Sequence, residues 1–172
     1  TKIKCLIQSS QPVIAIESTE EERIRDLVYR AARELNVPYF DWSLTRGLHS
    51  PDAPSIGETE DPSVCLQFIK DYKGAGIFLL KDFSQNLDKP MIVRQFREAA
   101  QRVSKQGNCI FLVAPNVDLP IEIRHKVYFQ DWYLPSREEL IILVSKTFEE
   151  MQRNDGKIKY ELSKEDHDPL LN

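Results

Sequence analysis

The chain has 172 residues, 41% of them hydrophobic and 29% charged, enough apolar material for one packed domain and no compositional sign of disorder. Lys and Arg number 23 against 27 Asp and Glu, a formal net charge of −4, which argues against a nucleic-acid backbone as ligand because that affinity draws on excess basic charge. No apolar run approaches the roughly 20 residues needed to span a bilayer, and no signal-peptide h-region stands at the N-terminus.

Taken in chain order, residues 1–7 are a short apolar element that predicts a lead-in helix, and residues 12–16 predict the first strand. Ser18 and Thr19 then offer hydroxyl N-caps before Glu20, Glu21 and Glu22, acids in a first turn where the helix dipole favours them. Ile24, Leu27, Val28, Ala31, Ala32 and Leu35 follow as one apolar helical stripe. Residues 38–42 predict a second strand, and residues 43–61, rich in Pro, Gly and Ser and without period, read as an exposed loop. Asp61-Pro62 opens a helix marked by Val64, Phe68, Ile69 and Tyr72. Residues 75–80 predict a third strand. Ile92, Phe96, Ala99, Ala100 and Val103 mark the next helix, with Gly107 just beyond its end. Residues 109–114 and 127–129 predict the fourth and fifth strands, and Ser136 with Glu139 forms a capping box before Leu140, Ile141, Val144, Phe148 and Met151.

Strands this apolar, alternating with amphipathic helices, predict a three-layer α/β/α sandwich around a five-stranded, mainly parallel sheet with right-handed crossovers. Asp155-Gly156 should break the last helix, and residues 162–166 give a further cap signal only two turns or so before the chain stops. The expectation is a main domain over 1–154 and, over 155–172, a linker or the start of a truncated helical lid in a longer protein.

Chemistry-bearing residues are sparse. Cys5, Cys65 and Cys109 are odd in number and far apart, which suits small buried hydrophobes in a reducing compartment. His49, His125 and His167 show no metal-ligand spacing. Three acids are placed by the strand pattern at carboxyl ends, where α/β sheets bind ligands: Glu17, Asp41 and Asp82. They are either loop-start acids or a Mg²⁺ set for phosphotransfer or nuclease chemistry. After the first strand there is no G-x-x-x-x-G-K-S/T loop to cradle phosphates. Glu17, Ser18 and Thr19 lead directly into Glu20, Glu21 and Glu22, so acids stand at the helix N-terminus where a phosphate would bind.

Several segments carry a family resemblance. Residues 76–83 (GIFLLKDF) resemble a Walker B strand, with Asp82 at the metal-coordinating position and Phe83 in place of the usual catalytic glutamate. Residues 110–116 (IFLVAPN) resemble a sensor-1 strand ending at Asn116, and residues 134–140 (LPSREEL) resemble a helix start late in an AAA core. Together with residues 20–24 (EEERI), this order is similar to the N-terminal region of the AAA-family ATPase of cyanobacteria and plastids, a hypothetical chloroplast open reading frame family, over about residues 3–172. The resemblance implies an AAA-like core lacking the P-loop, with no cofactor of its own. It implies ATP and Mg²⁺ in a downstream ATPase module of the same chain, a homo-oligomer when full length, and an unknown protein partner. It also implies a place in the cyanobacterial cytoplasm or chloroplast stroma and a role in photosynthetic physiology or inorganic-carbon uptake. Within it, Glu17, Ser18, Thr19, Asp82 and Asn116 occupy the degenerate nucleotide-site positions. Arg124 falls where AAA proteins present an arginine finger in trans, or it is a solvated surface arginine beside Glu122 and His125.

Overall fold

The computed structural model describes residues 2–9, 11–51, 56–132, 141, 144 and 145. The chain forms two compact units, Thr1–Trp132 and Tyr133–Asn172. In the second, residues 141, 144 and 145 are helical; the rest of the predicted last helix and the break at Asp155-Gly156 lie outside the described residues.

The first unit runs α1 (Lys2–Gln8), β1 (Val13–Glu17), α2 (Glu21–Leu35), β2 (Tyr39–Ser43), β3 (Gly47–His49), α3 (Pro62–Asp71), β4 (Ile77–Lys81), a 3₁₀ turn (Phe83–Asn86), α4 (Pro90–Gln106), β5 (Cys109–Ala114), α5 (Ile121–Arg124) and β6 (Val127–Phe129). The sheet has six strands in the order β3-β2-β4-β5-β1-β6. Every ladder is parallel except β2–β3. Its two faces have separate cores, as expected of a sheet covered on both sides. Ile14, Ile16, Leu79, Phe111 and Val113 pack with Ile3, Leu6, Ile24 and Val28 of α1 and α2. Val13, Ala15, Trp42, Phe78, Leu80 and Leu112 pack with Leu66, Ile69, Phe96 and Val103 of α3 and α4.

The five expected strands are present, and β3 is a sixth. It arises inside the stretch read as an exposed loop, which is instead tied to the sheet. Trp42 Nε1 donates to the Thr59 carbonyl at 2.6 Å, and Thr59 Oγ1 accepts from Leu48 N at 2.7 Å. Leu48, Ser50 and Thr59 are buried. Periodicity gives no sign of β3 because it is only three residues long, and the rest of the segment is held by contacts such as that between residues 42 and 59. Gly47 is required: its φ is +65°, and a Cβ would sit 2.5 Å from Thr59 Oγ1.

Local caps account for the helix ends, with two departures from expectation. Asp61 caps α3 as predicted, accepting from Ser63 N at 2.7 Å, and Gly107 ends α4 in the left-handed region. Ser18 does not cap α2: Glu20 holds the N-cap position, and Ser18 Oγ accepts from Glu20 N at 3.0 Å in the turn before it. Val64 is 43% exposed; α3 turns Cys65, Leu66 and Ile69 inward instead. Cys65 and Cys109 are buried as expected, but Cys5 is exposed on α1. Ile3 and Leu6 are buried against α2, where Lys4 also pairs with Glu34, so that face of α1 is already covered within the chain.

Candidate functional site

The strand order reverses between β5 and β1, and the crevice beyond their carboxyl ends is where an α/β sheet takes its ligand. In this chain the protein's own groups span that crevice. Ser18 N extends the ladder by donating to the Ala114 carbonyl at 2.9 Å. Glu17, at the end of β1, accepts from Val117 N at 3.0 Å through Oε1, joining β1 to the segment after β5. Thr19 is exposed in the tight turn that leads into α2.

The N-terminus of α2 carries its own counter-charge. Lys81, the last residue of β4, places Nζ 2.9 Å from Glu21 Oε1 and 3.5 Å from Glu22 Oε1, and its side chain is only 11% exposed. The helix dipole favours anions at this end, and Glu21 and Glu22 already supply them. A polyphosphate would have to displace two carboxylates and break their pairing with Lys81. Glu20 faces the other way: Oε2 accepts from Arg23 at 2.7 Å and from Trp132 Nε1 at 2.9 Å, while the Arg23 guanidinium lies 5.2 Å from the Trp132 ring centre. All three glutamates therefore have partners. Sequence reasoning assigned no role to Lys81 or Trp132; the one local signal is a lysine closing an otherwise apolar strand.

Asp82 is exposed, with a left-handed backbone (φ +52°), and its N–H donates to the Val113 carbonyl at 2.9 Å. Phe83 points into the core, with its ring 5.0 Å from Trp42 and 5.9 Å from Phe96. The residue that the sequence resemblance puts in place of a catalytic glutamate is thus a packing residue. Asn116, which the sequence resemblance sets at the end of a sensor-1 strand, lines an open cleft of about 560 Å³ with Ser84, Gln85, Asp88, Asp118 and Leu119. Among the described residues its walls carry two carboxylates, Asp88 and Asp118, and no cation.

Asp41 lies elsewhere. It pairs with Leu79, which is in register with Phe111 and so with Ile14, three residues short of Glu17 along the sheet. It is 7% exposed, on the α2 face beside Tyr39, whose phenol is pushed well above its ordinary range by burial and then by the Asp41 charge. Three strand spacings, about 14 Å, separate β2 from β1. Glu17 and Asp82 share a level of the sheet, but Asp41 does not join them. Among the described residues no group of three or more His, Cys, Asp or Glu is placed to hold a metal ion. Arg124, on α5, is exposed, with its guanidinium 5.6 Å from the Phe129 ring centre.

Among the described residues no helix is long and apolar enough to cross a membrane. Two curated relatives are 25% and 24% identical: the uncharacterized AAA domain-containing proteins ycf46 of Pyropia yezoensis, over 150 residues, and of Guillardia theta, over 140 residues. The matches cover 84% and 80% of this chain but only 30% and 28% of those proteins, so the chain spans less than a third of their length. In fold, the crystal structure of a DNA replication initiation factor superposes with a TM-score of 0.62 at 12% identity, covering 99% of this chain and 53% of that one. The family model for the N-terminal domain of SpoVK-like AAA ATPases matches residues 1–132, the whole of the unit that carries the crevice. The chain belongs to that family of SpoVK-like AAA ATPase N-terminal domains.

Proposed function

We propose that this chain is a non-hydrolysing AAA-like domain that serves assembly, regulation or partner recognition in a longer AAA-family ATPase. In this reading ATP and Mg²⁺ are used by a downstream module. The observation that carries the proposal is the Lys81 ammonium held between Glu21 and Glu22 at the start of α2. A phosphate-binding helix start keeps its N–H groups open to an anion; here the chain's own carboxylates occupy that electrostatic role. Glu17, Ser18, Thr19, Asp82 and Asn116 then stand as remnants of a nucleotide site. The family match to an N-terminal domain and the short span relative to the ycf46 proteins support a place at the front of a longer chain. Residues 1–154 would form the AAA-like domain and 155–172 a linker or lid start. On the family resemblance read in the sequence, the full-length protein would work as an oligomer in a plastid stroma or cyanobacterial cytoplasm, in photosynthetic physiology or inorganic-carbon uptake.

Thermal unfolding with saturating Mg-ATP tests the reading on this chain and on the full-length protein. A ligand at 100 times its Kd adds about 2.7 kcal/mol of stability. The expected result is no shift for residues 1–172 and a clear shift, with hydrolysis, for the longer protein. A raised melting temperature in the short chain would overturn the reading.

A further inference from the structure

At the opposite end of the sheet from the crevice, α4 and the start of β6 enclose a second open groove of about 730 Å³. Its walls include Ala100, Gln101, Lys105, Lys126, Val127 and Tyr128, and among the described residues no Asp or Glu lines it. In a chain of net charge −4, that corner is locally basic. Lys105 and Lys126 line the groove and Arg124 stands two residues before Lys126; among the described residues none of the three has a carboxylate partner. Cations of the same unit that do pair with acids, among them Lys4, Arg25, Lys70, Lys81 and Arg94, lie outside the groove. Apolar surface lies beside the unpaired charges: Tyr128 is 43% exposed, Phe129 37% and Ile121 82%. β6 is an edge strand, hydrogen-bonded among the described residues to β1 alone.

From this combination we infer that the groove and the outer edge of β6, unpaired among the described residues, form a docking site for an extended acidic peptide segment of a partner protein. Charge complementarity selects the occupant. Lys105, Lys126 and Arg124 call for Asp or Glu side chains, Val127 and Tyr128 offer a floor for an interleaved apolar side chain, and the outer edge of β6 offers backbone groups to an added strand. The site lies away from Glu17 and Lys81, so it does not depend on the state of the nucleotide crevice.

Fluorescence anisotropy with a labelled peptide of alternating glutamate and leucine, against residues 1–172, tests the inference. Saturable binding is expected, weakened roughly tenfold or more by Lys105→Glu with Lys126→Glu and also reduced by Tyr128→Ser. Lys70→Glu, on α3, should leave it unchanged, and circular dichroism checks that each variant is folded. A lysine–leucine peptide should not bind. Absence of saturable binding, or binding insensitive to the Lys105 and Lys126 reversals, would overturn the inference. So would tighter binding of a single-stranded oligonucleotide at the same residues, which would make the groove a nucleic-acid site. Self-association of the chain abolished by the same variants would make the occupant a second copy, and would equally overturn it.

Discussion

Lys81 is the residue on which the crevice turns. Its stem is buried and its ammonium serves two glutamates of differing exposure, 35% for Glu21 and 64% for Glu22. Solvent screens both pairs, so their worth is modest. Lys81→Met keeps the stem and removes the charge; Lys81→Ala removes both. The alanine variant should lose about 1 kcal/mol and the methionine variant less, read by urea unfolding. The charge-dependent share should shrink as salt is added. At Gly47 the expected loss is larger. Gly47→Ala forces a left-handed backbone, at about 1–2 kcal/mol, and drives Cβ against Thr59 Oγ1. Thr59→Val should cost about 1–3 kcal/mol because Leu48 N then loses its buried acceptor. Equal stability of Thr59→Val and the parent would show that water satisfies that group. The acids at 20–22 were legible in the sequence, since charge at a helix start has local meaning. Their cation was not: Lys81 is 59 residues from Glu22, and no local rule pairs residues so far apart.

At the level of elements, the strands and long helices follow from local pattern, because the apolar runs of β1, β2, β4 and β5 are buried almost throughout. β3 does not follow: its three residues pair antiparallel with β2 in a run too short to show alternation, and Leu48 is held as well by Thr59 and Ile56 from later in the chain. The cap signals divide the same way. Asp61 works because its carboxylate reaches Ser63 N. Ser18 is displaced from the cap position because its backbone N–H continues the β5 ladder at Ala114. Asp61→Ala should therefore destabilise α3 by about 1 kcal/mol, seen as a lower thermal midpoint, whereas Ser18→Ala should cost less. Thiol chemistry separates the helices further. Burial pushes the Cys65 and Cys109 thiols far above the ordinary cysteine range, while Cys5 is exposed. A thiol-reactive dye at mildly alkaline pH should label Cys5 rapidly in the native chain, and Cys65 and Cys109 only after unfolding. Fast native labelling of Cys65 would mean that α3 opens readily.

For the whole molecule, the sheet order and the two-faced core place this chain among AAA folds, yet the crevice that such folds use for nucleotide is spanned from within. Glu17 bonds to Val117 N, Ser18 N bonds to Ala114, and Lys81 holds Glu21 and Glu22. The missing glycine-lysine loop could be read from the sequence; the internal bonds that take its place could not. Removing the internal counter-ion alone should not restore nucleotide affinity, because the phosphate-wrapping loop would still be missing. Mg-ATP should therefore stabilise Lys81→Met no more than the parent chain. The most direct measurement is an amide chemical-shift titration of residues 1–172 with millimolar Mg-ATP, following Ser18, Glu21, Glu22, Lys81 and Asp82. The account predicts that these resonances stay in place. Saturable shifts centred on Ser18 to Glu22 and Asp82 would show that the crevice binds nucleotide after all, and would contradict it.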